Sequence, residues 1–308
     1  MNSSAWANLA TRMISSSLAS LLPQAQVFLD GAGKEDVFLQ DDRNFVTKGI
    51  EVVVSDIFAT DIERSLRDII ETRNADADDT PSALIALYAL GEGVTPTVIN
   101  GIKWLLDLQN RDGGIPTFCR GWGKLPFDRS CPDLSAHTFR AISLYLNDLP
   151  EDLRSRANKA QHSILRFLET TQNPDGSFTP LWFGDQLAAD KTAPVYGSAV
   201  VLEHLAGNDK PFLRKTLEYL LKMQHETGGW GGTDGKTDYV IVTARCVAAL
   251  KPYPEAAEAV VHGLEFLRPF AAAPQSAPLE PIGLYFAHLW YSEKLYAPIF
   301  LAKAVTDD

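Results

Sequence analysis

Apolar residues recur along this chain with the period of helices, not the alternation of strands, and turn residues separate one periodic segment from the next. Apolar helices are expected to open near Thr80-Pro81, Pro132-Asp133, Pro194 and Tyr239, each preceded by another helix and a turn, so the unit is a helical hairpin. Extended along the chain, the pattern predicts inner helices at about 43–58, 79–91, 132–147, 194–206, 239–250 and 281–305. Their outer partners fall at about 5–22, 61–73, 97–109, 151–171, 211–224 and 255–269. Paired in this way, inner and outer helices close a ring and remove the end faces that an open solenoid must cap. The expected architecture is all-α, an (α/α)6 toroid formed by one domain over 1–308. Residues 1–40 form an N-terminal helix and loop packed on the barrel, 41–308 form the hairpin repeats, and no second barrel closes over the first.

An internal repeat underlies the hairpins. Trp104-Leu105 leads to Gln109 and then Asp112-Gly113-Gly114. Phe167-Leu168 leads to Gln172 and then Asp175-Gly176-Ser177-Phe178, and Tyr219-Leu220 leads to Gln224 and then Gly228-Gly229-Trp230. In each copy a helix ends at Gln, glycine makes a turn that needs φ > 0, and an aromatic closes on the helix end. A fourth copy, Gly263 to Leu267, has Ala271 where Gln is expected and no Gly-Gly after it.

Composition narrows the partners. A formal charge of −11 with no basic stripe argues against nucleic acid. The 3 cysteines, Cys119, Cys131 and Cys246, form no CxxC pair, which points to a reducing, cytoplasmic setting and not to a disulfide framework. Cys119, Cys131 and His137 lack a fourth ligand at metal-site spacing, so no metal centre is expected. The uncharged stretch from Met13 to Leu29 is too polar and too short to span a bilayer.

The chemistry-bearing segment is Asp76-Ala77-Asp78-Asp79-Thr80. Taken locally, Asp79 or Thr80 is an N-cap and Pro81 a first helical residue, so the acids serve to start a helix. A second reading is chemical. Carboxylates this close cannot all ionise cheaply, so mutual repulsion keeps a proton on the set. Downstream, Asp133 and His137 are four residues apart and share one helical face.

The Gln-and-glycine repeat resembles the QW motif of the terpene cyclase and protein prenyltransferase superfamily. Asp76-Ala77-Asp78-Asp79-Thr80 resembles the DxDD motif of class II terpene cyclases, and Asp133 with His137 is similar to the acid and histidine of the squalene-hopene cyclase segment. The resemblance implies that Asp78 protonates an alkene, that Asp76 and Asp79 orient it, and that His137 hydrogen-bonds the acid. Asp190 to Tyr196 and Leu289 to Pro298 look like bacterial class II diterpene cyclases, which favours a prenyl diphosphate over squalene. Arg129, Lys191 and Lys294 are then candidate diphosphate partners, with magnesium involved only if the substrate carries a diphosphate; no other cofactor is implied. Aromatic residues Tyr196, Phe286, Trp290, Tyr291, Tyr296 and Trp122 are candidate cavity walls whose ring faces stabilise carbocations.

Class II cyclases usually enclose substrate between two α-barrel domains, so a homodimer, a second chain or the chain's own N-terminus is expected to cover the mouth. Peripheral membrane contact goes with a free hydrocarbon substrate. Two other readings stay open. A protein prenyltransferase-like subunit is disfavoured, because the zinc ligands are missing and Tyr239-Val240 stands where Tyr-His belongs. A toroid that binds an isoprenoid or a partner without catalysis is the other.

Overall fold

A computed structural model describes residues 76–121, 126–232, 235–280, 290, 292 and 296–305. The helices expected near 5–22, 43–58 and 61–73 lie outside these residues, as does most of the segment before 296. Five described helices line the inside of an arc: α1 (Asp79–Ala89), α3 (Pro132–Tyr145), α5 (Pro194–His204), α7 (Val240–Leu250) and α9 (Tyr296–Val305). Each packs on the next. Outside them run α2 (Pro96–Leu108), α4 (Glu151–Thr171), α6 (Pro211–Lys222) and α8 (Ala257–Ala272), each against the inner helix that precedes it. A short antiparallel pair, β1 (Ile115–Pro116) with β2 (Ser130–Cys131), closes the loop between α2 and α3. This is the inner-and-outer arrangement of an α/α toroid.

The two helix types differ because their sequences do. Helix α7 reads Val-Ile-Val-Thr-Ala-Arg-Cys-Val-Ala-Ala-Leu and exposes no residue, as expected of a helix apolar all round. Helix α4 buries Leu153, Ala157, Ala160, Ile164 and Phe167 at helical spacing while Arg156, Lys159, His162 and Arg166 face solvent. Proline occupies the first position of α2, α3, α5 and α6, where its missing N–H costs nothing. The core forms two clusters, one around α1 to α4 and one around α3 to α9, and Trp104 packs against both.

The repeated turns act as staples. The Gln109 side-chain amide donates to the Gly113 carbonyl (2.8 Å) and to Ala160 on the next outer helix (3.0 Å). Gln172 does the same to Gly176 (3.0 Å) and Phe212 (2.8 Å), and Gln224 to Gly228 (2.9 Å) and Ala259 (2.8 Å). Gly113, Gly176 and Gly228 have φ of 94°, 92° and 85°, so each needs the left-handed backbone that glycine takes without strain. A Cβ on any of them would come within 2.5 Å of a carbonyl oxygen, on Ser163, Lys215 and His262 respectively. Glycine is therefore required twice over, for its dihedral and for the close approach of the next outer helix.

Beyond each turn one buried side chain is locked by a hydroxyl of the following inner helix. Ser135, Ser198 and Thr243 accept the backbone N–H of Ile115 (2.8 Å), Phe178 (2.9 Å) and Trp230 (2.8 Å). The first copy thus carries Ile115 where the sequence pattern expects an aromatic. Burying a ring such as Trp230, which also donates its indole N–H to Leu220 (2.7 Å), contributes about 2–3 kcal/mol. The degenerate fourth copy has no Gln staple: α8 runs through Pro269 to Ala272, with Ala271 buried in the core.

Candidate active site

The turn before α1 is pinned from both sides. Ala77 is fully buried and donates its N–H to the Phe118 carbonyl (2.8 Å). The Asp76 carboxylate accepts the N–H groups of Asp78 (2.8 Å) and Asp79 (2.7 Å). Asp78 stands at the N-cap of α1, yet its side chain makes no capping bond. Capping by Asp79 or Thr80 is corrected here: Asp76 satisfies the orphan donors from outside the helix, and this leaves the Asp78 carboxyl for something else. That carboxyl, 37% exposed, lies 3.6 Å from Nδ1 of His137, which is 12% exposed. The pair is in electrostatic reach and one short movement from a hydrogen bond.

His137 is held on its other sides. Nε2 faces the Ser82 hydroxyl of α1 (3.4 Å), and the ring stacks on His204 of α5 with centroids 4.6 Å apart and planes 14° apart. Burial, with the charge of His137 adding to it, pushes the His204 pKa well below the usual histidine range, so His204 is held neutral. One turn before His137, Asp133 is 1% exposed. Its Oδ1 accepts the Cys131 thiol (2.7 Å), while Oδ2 has no hydrogen-bond partner among the described residues. Burial raises the Asp133 carboxyl from 3.8 to about 6; the Cys131 contact opposes the rise and the Asp78 charge adds to it. Burial likewise pushes the Cys131 thiol up, so that it stays a donor. Two carboxyls thus sit in unlike surroundings, one dry and one partly wet beside an imidazole, and the Asp78 charge acts on Asp133.

Sequence reasoning missed a buried ion network beside this cluster. Arg245 of α7 pairs with Glu203 of α5 (3.1 Å), and Lys303 of α9 also bonds Glu203. The Arg245 guanidinium sits over the Phe300 ring at 4.5 Å and the Tyr196 ring at 5.6 Å. Tyr196 is buried and its phenol is pushed up to about 12, chiefly by burial, with Arg245 opposing the rise and Asp78 and Asp133 adding to it. Glu203 and Arg245 are buried charges on otherwise apolar helices, a signal that they must be paired.

Of the other expected wall residues, Trp290 is partly buried and Tyr296 packs against Phe300 (6.3 Å). Trp122, Phe286, Tyr291 and Lys294 lie outside the described residues. The two described candidate diphosphate partners are placed elsewhere. Arg129 is exposed and lines a surface groove with Asn110, Asp112 and Asn173, not with the acid cluster. Lys191 has φ of 61° and donates its ammonium to the Gln186 carbonyl of its own loop (2.7 Å).

Next to Tyr196 a cleft opens between the N-terminal ends of α5 and α7, walled by Phe183, Val195, Tyr196 and Val242. Two buried carboxyls, Asp185 and Glu280, also line it. Glu280 accepts the N–H groups of Val240 and of Ile241 (2.8 Å), capping α7 from outside the helix. Burial raises its carboxyl to about 7 against those two bonds. Among the described residues no three His, Cys, Asp or Glu side chains converge as metal ligands, and no helix is long and apolar enough to cross a membrane.

Comparison with known proteins finds terpene cyclases. Residues 123–249 match the family model of the squalene-hopene cyclase C-terminal domain. Drimenyl diphosphate synthase of Streptantibioticus cattleyicolor is 30% identical over 226 residues, 68% of this chain and 39% of that protein. Enfumafungin synthase of Hormonema carpetanum is 27% identical over 182 residues, 51% of this chain and 13% of that protein. The chain thus spans well under half the length of these two curated relatives. Among solved structures, the type II terpene cyclase MstE from Scytonema superposes with a TM-score of 0.59 at 16% identity, covering 85% of this chain and 86% of that one, and so shares the fold. The chain is thus similar to terpene cyclases, with residues 123–249 resembling a squalene-hopene cyclase C-terminal domain.

Proposed function

We propose that the protein is a class II terpene cyclase acting on a linear prenyl diphosphate of the farnesyl or geranylgeranyl type. The observation that carries this is the Asp78 carboxyl, released from helix capping by Asp76 and directed at His137. In the reaction the Asp78 O–H protonates the terminal alkene: the π pair becomes the new C–H bond and leaves a tertiary cation. Internal alkenes then attack in turn, each π pair forming a ring bond. His137 stabilises the carboxylate left on Asp78, whose charge in turn raises the buried Asp133 carboxyl. Tyr196 offers a ring face to the cation.

The relatives named for drimenyl diphosphate support a diphosphate substrate. Magnesium would accompany such a substrate as its counter-ion; the described residues offer it no three-ligand set, and no step here runs through it. The chamber is covered by protein beyond the described arc, supplied by the N-terminal residues, a second copy or a second chain. A cytoplasmic site of action is consistent with three unpaired thiols.

The test is product analysis after incubation with farnesyl diphosphate, geranylgeranyl diphosphate and squalene. The wild type is expected to give a cyclised product from a diphosphate. Asp78→Asn, which keeps shape but cannot deliver the proton, should lose about 10³-fold in turnover while melting at the same temperature. A folded wild type that converts none of the three leaves the binding toroid as the reading.

A further inference from the structure

The five described inner helices contribute polar side chains to one connected row. Asp78, at the start of α1, lies 3.6 Å from His137 of α3, and the His137 ring stacks on His204 of α5 with centroids 4.6 Å apart. The residue before His204 is Glu203, which bonds Arg245 of α7 (3.1 Å) and Lys303 of α9. His204 is therefore the joint between the acid cluster and the ion network, although proton transfer from Asp78 does not itself require it.

An imidazole that must face Asp78 has two rotations to lose. Turning about Cα–Cβ carries the ring away from α1, and turning about Cβ–Cγ swings Nδ1 off the acid. The Ser82 hydroxyl meets only the Nε2 edge of His137, at 3.4 Å, which is long for a hydrogen bond and holds the ring weakly. The broad contact is the His204 face, whose plane lies within 14° of that of His137. His204 is itself set between fixed neighbours: Glu203 is clamped by two cations, and Leu205 is fully buried. Because His204 is held neutral, a charge forming on His137 meets a ring face and not a second imidazolium.

We propose that His204 is a positioning residue for the initiating acid: its ring sets the plane of His137 and keeps Nδ1 aimed at Asp78, while the Glu203 ion pairs hold that ring still. This inference rests on the cyclase reading and adds to it a residue that acts through His137 without touching substrate. The role asks for a flat face and not for an imidazole, so another flat ring should serve.

The experiment uses the full chain with whichever prenyl diphosphate the wild type cyclises. It compares kcat and KM of His204→Leu, which fills the space without a flat face, with those of His204→Phe, which keeps one. His204→Leu should lower kcat by about tenfold with KM within about twofold of the wild type, and His204→Phe should recover most of that loss. In a His137→Phe background, where there is no imidazole left to aim, adding His204→Leu should cost less than about twofold more. The proposal is overturned if folded His204→Leu turns over like the wild type, if its loss appears in KM and not in kcat, or if His204→Phe is as slow as His204→Leu. A full further loss in the His137→Phe background overturns it too, because His204 would then act independently of His137. A wild type that consumes no substrate removes the cyclase reading and this inference with it. Should His204→Leu fail to fold, His204→Met takes its place and is read in the same way.

Discussion

The turn at 173–177 and the turn at 76–79 use the same local device to opposite ends. In the first, the Asp175 carboxylate accepts the N–H two residues on, at Ser177 (3.0 Å), as Asp76 does for Asp78 (2.8 Å). Around 173–177 the polar groups are then used up: Gln172 fills the Gly176 carbonyl, Asn173 reaches Ser177 and Thr179, and the next outer helix presses on Gly176. At 76–79 the turn is equally fixed, but one carboxyl is left over and partly exposed. The difference shows how the chain separates strength from reactivity. A fully satisfied turn holds two helices together, and the same turn with one surplus acid holds a proton donor in place.

The comparison can be broken most sharply at glycine. Gly176→Ala adds a Cβ 2.5 Å from the Lys215 oxygen at φ of 92° and should cost about 4 kcal/mol of stability, from collision plus left-handed strain. Gly91, after α1, has φ of 83° with nothing within 4 Å, so Gly91→Ala should cost only the strain, about 1 kcal/mol. Urea unfolding of the two variants measures the crowding by difference; equal losses would mean the outer helices do not press on the staple.

The next effect belongs to the acid side. Asp133 binds its proton more tightly folded, at about 6, than unfolded, at 3.8. Between those values the folded protein holds a proton that the unfolded chain has released, so this group's stabilisation is full at low pH and is lost as pH rises to about 6. The loss is roughly 3 kcal/mol. Urea midpoints taken from pH 4 to pH 7 should fall more steeply in the wild type than in Asp133→Asn, and parallel curves would show that Asp133 ionises freely. A smaller effect than that of Asp133 is expected at the staple itself: Gln172→Ala removes the amide shared by Gly176, Phe212 and Thr216, and should lower stability by about 2 kcal/mol in the same assay.

How legible each part was follows from the range of its interactions. The Gln turns could be read because Gln109, Gln172 and Gln224 each close on a glycine four residues away, and a repeated local pattern exposes itself. The acid turn was legible in type and misread in detail. Local propensity nominated Asp79 or Thr80 as the cap, whereas the Ala77 to Phe118 bond swings Asp76 into that role. Asp133 and His137 could be paired with each other on one helical face, yet neither their distance to Asp78 nor the stack on His204 is written locally. The Arg245–Glu203–Lys303 network was missed because its members lie 42 and 100 residues apart. Arg129 and Lys191 show the converse: a cation in a loop has no periodicity to place it, and one lines a surface groove while the other bonds its own loop.

The outer staples all end on main-chain oxygens, and the residues carrying those oxygens are Ala160, Phe212 and Ala259. Among the side chains of the accepting helices only the Thr216 hydroxyl adds a contact, accepting the Gln172 amide (2.9 Å). The curvature of the ring is therefore specified from one side only, by an amide and a glycine in each unit. The accepting helix is free to vary its exterior without changing the ring's radius, so the toroid's outer surface can be recoloured for new contacts while the chamber keeps its shape.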